Sequence, residues 1–274
     1  MPRAIAEKRA AFRALHQSGC FILPNPWDAG SAKYLASLGF KALATTSSGY
    51  AWSTGRADNH VTREDILAHL SSLAAATDLP VNADFESGFG ATPDEVAQSV
   101  ALAVATGVAG LSIEDSTGDA ASPLRPVDDA AKRIAAARRA VDQNGGDTLL
   151  IGRAENFVVG VHDLGDAINR LKAYAQAGAD CLYAPGIKTR EQIEAVVAAV
   201  APKPVNVLVG GVSPFTLDDL AAMGVRRISV GGALARSAWG GFMAAAQALT
   251  EGRFDGFAGA ASGAQLDAQF LGKA

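Results

Sequence analysis

Residues 80–115, PVNADFESGFGATPDEVAQSVALAVATGVAGLSIED, read as strand, helix and strand in succession. The run 80–85 (PVNADF) is nearly continuous in apolar residues, as a strand covered on both faces requires. Thr92-Pro93-Asp94-Glu95 then opens a helix over 92–107, with Pro at the first helical position and acids in the first turn. The helix ends on Gly107, a C-cap residue, and a second apolar run, 109–114 (AGLSIE), begins at once. Such a unit predicts two parallel strands joined by a crossover helix.

The pattern continues in both directions. Further strands are expected at 20–24, 41–46, 148–153, 179–184, 204–209 and 226–231, and helices at 29–39, 62–76, 128–143, 165–178, 189–200, 214–224 and 232–249. Thr62 and Asp65 form an approximate capping box, and Gly39, Gly178 and Gly224 end helices as Gly107 does. Eight strands alternating with helices predict an α/β fold of the (β/α)8 barrel type. A doubly wound open sheet usually has fewer strands and a Gly-rich first turn, whereas the first turn here is Pro24-Asn25-Pro26-Trp27-Asp28. No low-complexity linker divides the chain. A single domain over 1–274 is expected, with an N-terminal extra helix in 1–19, the barrel in 20–249 and a C-terminal helical appendage in 250–274.

Composition narrows the function classes. The net charge of −4 and the lack of a basic stripe speak against a nucleic-acid partner. No apolar run reaches the roughly 18–20 residues that span a bilayer, and the charged N-terminus lacks a signal-peptide core, so no membrane partner and a cytoplasmic location are expected. Cys20 and Cys181 lie in apolar runs and read as two buried thiols in a reducing compartment.

Barrel enzymes carry their chemistry at the C-terminal ends of the strands. There this chain places Thr46-Ser47-Ser48-Gly49, Asp84 and Glu86, Glu114-Asp115, and Arg153 with Glu155 two residues on; Asp58 follows in a loop. Carboxylates gathered so closely repel one another, and a hard divalent cation such as Mg²⁺ relieves this through oxygen ligands. Arg153 adds a planar fork suited to a carboxylate or phosphonate, and the Ser47-Ser48-Gly49 turn offers backbone N–H groups to another anion. The plainer alternative is a structural ion network in which Arg153 neutralises Glu155 or Glu114.

Asp84-Phe85-Glu86-Ser87-Gly88-Phe89-Gly90 followed by 107–115 (GVAGLSIED) resembles the isocitrate lyase/phosphoenolpyruvate mutase superfamily. Ser31-Ala32-Lys33, Gly55-Arg56-Ala57-Asp58 and Ala177-Gly178-Ala179-Asp180 match in order as well, so the resemblance runs from about residue 20 to 185 and more weakly to 240. It implies a barrel whose last helix is exchanged between subunits of a homodimer or homotetramer. It also implies Mg²⁺, with Mn²⁺ as a substitute, and a small carboxylate substrate: an α-oxo or 2-hydroxy acid cleaved at a C–C bond, or less readily a P–C bond, through an enolpyruvate-like anion. By the same resemblance Asp84 is the principal metal ligand, and Asp58, Glu86 and Glu114 hold metal-bound water. Thr46, Ser47, Ser48, Asp84 and Arg153 bind substrate. Arg153, Glu114 and Asp58 carry the chemistry. Thr117, Asp119, Ser122 and Arg125 are the polar groups of the gating loop.

Departures from the family pattern are specific. The lyases carry Lys-Lys/Arg-Cys-Gly-His after strand four, where this chain has 116–125 (STGDAASPLR), without Cys, His or Lys. Phosphonomutases carry an Asn in a longer loop, which is also missing. Ala184-Pro185-Gly186 stands where the lyases have Pro-Glu, and Asn206 lies about two residues from a family Asn. Isocitrate-type cleavage, which needs a general acid, is therefore disfavoured against decarboxylation of an oxo diacid or retro-aldol release of pyruvate or glyoxylate. Two further readings stand beside this one. The Gly turns at 209–211 and 230–232 resemble phosphate-binding turns, which would make a phosphate-ester enzyme. Alternatively, the barrel binds an α-oxo acid without turnover.

Trp27, Tyr50 and Tyr183 are within reach of the site by sequence position. His16, His60, His69 and His162 read as surface or loop residues, with His60 a candidate auxiliary beside Asp58. Lys132-Arg133 and Arg138-Arg139 read as a solvated helix face. Phe254, Phe257 and Phe270 suggest that the appendage packs on a neighbouring subunit.

Overall fold

The computed structural model describes residues 3–271. Residues 1–2 and 272–274, the outer ends of the expected N-terminal helix and C-terminal appendage, lie outside the described residues. The strands are β1 Phe21–Leu23, β2 Leu43–Ala44, β3 Val81–Asp84, β4 Gly110–Glu114, β5 Leu149–Arg153, β6 Cys181–Tyr183, β7 Val205–Leu208 and β8 Arg227–Ser229. The helices are α1 Ile5–Leu15, α2 Ala29–Ser37, α3 Ser47–Ser53, α4 Arg63–Ala76, α5 Pro93–Ala105, α6 Val127–Gln143, α7 Leu164–Gln176, α8 Arg190–Val200, α9 Leu217–Ala222, α10 Ala233–Thr250 and α11 Gly263–Phe270. All ladders are parallel, in the order β1-β8-β7-β6-β5-β4-β3-β2. Ala44 N–H donates to the Pro24 carbonyl at 3.0 Å and so joins the two ends of the sheet. The expected (β/α)8 barrel is thus present.

Local chemistry sets the element ends. Thr62, Thr92, Thr189 and Thr216 each cap a helix, accepting an N–H three residues on while that residue's side chain answers. Gly39, Gly107, Gly178 and Gly224 follow the C-caps of α2, α5, α7 and α9 at φ between 85° and 105°, where a Cβ would be strained. Small side chains and one large plug fill the barrel: Leu23, Ala44, Ile151 and Cys181 inside, with Phe12 of α1 closing the N-terminal end against Ala109 and Leu149. A second apolar layer, including Leu70, Val96, Ile134 and Leu150, lies between sheet and helices.

Several expectations require correction. Ser47-Ser48-Gly49 is not a free turn but the opening of α3, because Thr46 caps the segment by accepting the Gly49 N–H at 3.3 Å. His69 is buried and stacked on Tyr50 at 3.9 Å, and His16 packs edge-on against Phe12 and Phe21. Arg133 is 2% exposed and donates to the carbonyls of Gly90 and Ala91, so only Lys132 and Arg139 of those four basic residues stand in solvent. Arg138 pairs with Asp180 at 2.9 Å. Cys20 is half-buried, and only Cys181 is enclosed. Among the described residues no helix is long and apolar enough to cross a membrane.

Candidate active site

Asp84, Glu114 and Arg153 are the last residues of β3, β4 and β5: register sets Glu114 opposite Arg153 and Asp84 opposite Ser112, two residues before Glu114 on the same face, and the long Arg153 side chain spans the step. Arg153 Nη1 lies 2.9 Å from Asp84 Oδ1 and 3.1 Å from Glu114 Oε2, while its Nε donates to Glu155. Nη2 has no partner among the described residues, and Arg153 lines a cavity of about 370 Å³. Ser47, Asp58, Glu114, Ser116, Asp119 and Glu155 contribute to the same wall.

Each carboxylate is held differently. Asp84 Oδ2 accepts the Ser47 N–H at 3.0 Å, and the Asp84 N–H donates to Thr45 Oγ1 at 2.8 Å. Glu114 Oε1 accepts from Ser116 Oγ at 2.8 Å. Glu86 sits at φ 45°, a left-handed conformation that a non-glycine residue holds only when its surroundings compel it. Its Oε1 is buried with no partner. Burial, followed by Asp84, Glu114 and Asp58, pushes the Glu86 carboxyl up to about 8. Burial and then Asp84 raise Asp58, and burial also raises Glu114 against the pull of Arg153. Burial opposes the charge on Arg153, but Glu155, Glu114 and Asp84 outweigh it and keep the guanidinium ionised.

A buried network supports the site from behind. Asp115 accepts the Glu155 N–H at 2.8 Å, Arg170 Nη1 at 3.1 Å and the Tyr174 hydroxyl at 2.6 Å. Arg170 also donates to the Arg125 carbonyl at 2.8 Å, which anchors the base of the gating loop. That loop folds as a small hairpin, with Ser116 bridged to Leu124 and the Thr117 N–H on the Pro123 carbonyl at 3.0 Å.

The structure gathers Asp58, Asp84, Glu86, Glu114, Arg153 and Ser47, of which Ser47, Asp58, Glu114 and Arg153 line the cavity while Asp84 and Glu86 lie behind its wall. It does not bring every expected group to the cavity. Thr46 is occupied as a cap, and Ser48 Oγ lies against Thr46 Oγ1 at 3.1 Å. Of the gating residues, Asp119 alone lines the cavity; Thr117 and Ser122 knit the hairpin, and Arg125 lies 3.8 Å from Asp129. Tyr50 turns away to the Asp65 carbonyl, and His60 Nδ1 meets the Asp58 carbonyl at 2.8 Å. Trp27 lines other grooves, beside α2 and α10. Tyr183 is at the site, its ring 5.4 Å from Arg153 Cζ. Sequence reasoning did not single out Ser116 or Thr45, whose hydroxyls carry no signal without tertiary context; Glu155 was visible two residues past Arg153. The Gly turn after β8 does not offer its amides, since Asn25 Oδ1 accepts the N–H groups of Val230 and Gly231 at 2.9 Å each. A Cβ on Gly232 would lie 2.8 Å from Ser48 Oγ, so close packing explains that glycine.

Comparison with known proteins places the chain in a family. Residues 12–250 match the family model described as phosphoenolpyruvate phosphomutase. A crystal structure from Burkholderia cenocepacia J2315, described in general terms as a lyase/mutase, is 48% identical, with a TM-score of 0.94 and 97% of each chain covered. The structure of 2,3-dimethylmalate lyase, a PEP mutase/isocitrate lyase superfamily member, is 27% identical with a TM-score of 0.84, covering 98% of this chain and 95% of that one. An oxaloacetate decarboxylase of Rhodopseudomonas palustris (strain TIE-1) is 31% identical over 232 residues, 82% of this chain and 77% of that protein. The chain therefore belongs to the phosphoenolpyruvate phosphomutase family, a group of lyase-like enzymes within the PEP mutase/isocitrate lyase superfamily.

Proposed function

We propose that this protein cleaves a C–C bond of a small α-oxo or 2-hydroxy carboxylic acid, with decarboxylation of an oxo diacid as the leading reaction. The carrying observation is the Arg153 fork: Nη1 is clamped by Asp84 and Glu114 and Nε by Glu155, Nη2 has no partner among the described residues, and the residue lines the cavity. The residues also suit a divalent cation. Glu86 Oε1 is buried and unpartnered beside three other acids, and each Asp84 oxygen has only one hydrogen-bond partner. Mg²⁺ or Mn²⁺ would be held by Asp84, with Asp58, Glu86 and Glu114 acting through water. When bound, the ion polarises the oxo group as a Lewis acid.

The chain's own groups do the rest. Ser47 N–H fixes Asp84, Ser116 fixes Glu114, and Arg153 Nη2 meets the negative charge that grows on the substrate oxygen as the C–C bond breaks. The hairpin contributes Asp119, Ala120 and Pro123 to the cavity lining. It carries no Cys, His or Lys, which favours a reaction whose first product is already stabilised as an enolate. We propose in addition a homodimer or homotetramer built by exchange of α10. Of that helix only Ala235 and Ala248 are buried, while Phe242 and Met243 are 62% and 63% exposed.

Calorimetric titration with oxalate, with and without Mg²⁺, on wild type and Asp84→Ala tests the site without knowledge of the substrate. Mg²⁺-dependent binding that disappears in the variant is expected, and a panel of oxo diacids then identifies the turnover. Absence of binding under both conditions would leave the acids as a structural network, and binding with no cleavage across the panel would leave a carrier of oxo acids.

A further inference from the structure

One paired row of residues connects the site with the opposite end of the barrel. Its Cα partners run Glu114↔Arg153, Arg153↔Tyr183, Tyr183↔Asn206 and Asn206↔Arg227 across β4 to β8. Residues directly opposite in a parallel ladder project to the same face, and Arg153 shows that this face is the barrel interior. The row is not level. Arg153 and Tyr183 are the last residues of β5 and β6, whereas Asn206 is the second of β7 and Arg227 the first of β8. It therefore descends from the mouth to the floor, where Arg227 pairs with Phe21 and Phe21 packs on His16.

This row is polar where barrel interiors are usually filled by branched apolar side chains. Arg227 is 2% exposed. Its Nε donates to Asn206 Oδ1 at 2.9 Å and its Nη1 reaches Asn82 Oδ1 at 3.4 Å; among the described residues no carboxylate pairs with it. A buried cation answered only by amide oxygens is expensive and is poor evidence of a purely stabilising role. It does, however, impose direction. With Asn206 Oδ1 taken by Arg227, Asn206 Nδ2 donates to Ser229 Oγ at 3.0 Å. Burial pushes the Tyr183 hydroxyl up to about 12, with Arg153 and Ser229 pulling the other way, so the phenol stays neutral.

The carboxylates around Arg153 engage Nε on one side of the guanidinium and Nη1 on the other. All these hydrogen bonds lie in the plane of the group, so they fix it within that plane but resist tilting out of it only weakly. The Tyr183 ring lies against the guanidinium and supplies that missing restraint. We infer that Tyr183, paired with Asn206 in the row that Arg227 holds beneath it, is a positioning residue that holds the plane of Arg153 so that Nη2 is presented to the cavity. The inference deepens the reading of Arg153 as the substrate-binding fork and rests on it. An error of about 1 Å in such a group costs on the order of a hundredfold in rate, which gives the row a function despite the cost of burying Arg227.

The test uses Tyr183→Leu, Tyr183→Phe, Arg227→Met and the double variant Tyr183→Phe/Arg227→Met. Three readouts are taken: the Arg153 Nε–H resonance of the ligand-free protein, assigned by its loss in Arg153→Met; the affinity for oxalate with Mg²⁺; and the melting temperature. Tyr183→Leu is expected to move the Arg153 resonance and weaken oxalate by about tenfold or more. Tyr183→Phe and Arg227→Met disturb the same row and are expected to produce smaller shifts in the same direction, with the double variant no worse than either single. Arg227→Met is expected to lower the melting temperature, because it strands Asn206 Oδ1 and Asn82 Oδ1, so the resonance and not the melting temperature decides for this variant. A merely structural role predicts lower melting temperatures with the Arg153 resonance of the folded fraction unmoved. An unmoved resonance in Tyr183→Leu, or a double variant whose loss is the product of the singles, overturns the inference. Failure of the wild type to bind oxalate would instead overturn the functional reading, and the resonance would still decide the positioning role.

Discussion

His69 is pulled down to about 4 by burial, against the ordinary 6.5, and its Nε2 has no partner. The folded state then binds fewer protons than the unfolded chain between those values. Stability is full above about 6.5 and falls as pH drops towards 4. His16, lowered to about 3 mainly by burial, acts in the same direction. His69→Phe should flatten the acid limb of a urea-melt series by on the order of 2 kcal/mol at pH 4 relative to pH 7. Parallel curves for the two proteins would remove His69 from the account. At Gly110 an added Cβ would lie 2.7 Å from Phe12 Cε1 and 2.8 Å from Asn82 Oδ1. Gly110→Ala should thus cost about 1–3 kcal/mol in denaturant melts through overpacking at the barrel floor. At this scale the sequence was informative where a residue type is rare for its position, as with Asp84, Glu114 and Arg153 at strand ends. It was silent on Ser116, Thr45 and the burial of Arg133 and His69. A hydroxyl, or a cation within a helical pattern, looks the same whether solvent or a carbonyl answers it.

Helices with a cap, a periodic face and a terminal glycine are legible as elements. α5 carries Thr92, Pro93 and Glu95, whose Oε2 accepts the N–H groups of Ala91 and Thr92 at 2.6 and 3.1 Å. Thr92→Ala should cost about 1 kcal/mol by thermal melting. α3 was missed because seven residues, SSGYAWS, hold too little periodicity to separate a short helix from a turn. α6 shows a subtler coupling: Arg133 ties it to the carbonyls of Gly90 and Ala91, at the end of the loop that holds Glu86 at positive φ. Arg133→Met strands both carbonyls and should cost about 2 kcal/mol. It should also lower oxalate affinity more than Thr92→Ala does at equal loss of stability. Equal effects on affinity would mean that the loop holds its shape without α6.

The whole molecule depends on α1 as the closure of the barrel. Phe12 is fully buried against the floor, and Lys8 Nζ donates to the carbonyls of Ala74 and Thr77 at 2.9 and 2.6 Å. Phe12→Ala should destabilise by about 3–5 kcal/mol, read from denaturant midpoints at constant m-value. α10 behaves oppositely, with Trp239, Phe242, Met243 and Leu249 all partly or well exposed. Sedimentation equilibrium should show a dimer or tetramer that Phe242→Glu/Met243→Glu converts to monomer. A wild-type monomer would dispose of the exchanged helix.

The sequence by itself determined the alternation of strand and helix, the caps that bound most helices, the number of strands and the end of the barrel at which the acids gather. Those features follow from local patterns: apolar runs, capping residues, glycines at helix ends and strand direction. Tertiary structure alone decided which polar atoms meet. Register across β4 to β8 set Arg153 between Glu114 and Tyr183 and ran the row down to Arg227, and it left Nη2 of Arg153 free at the cavity. Hydrogen bonding is short-ranged and directional, so partners 21 to 145 residues apart, such as Arg227 with Asn206 and Asn82, are defined only once the sheet has curved to bring their strands around a common axis.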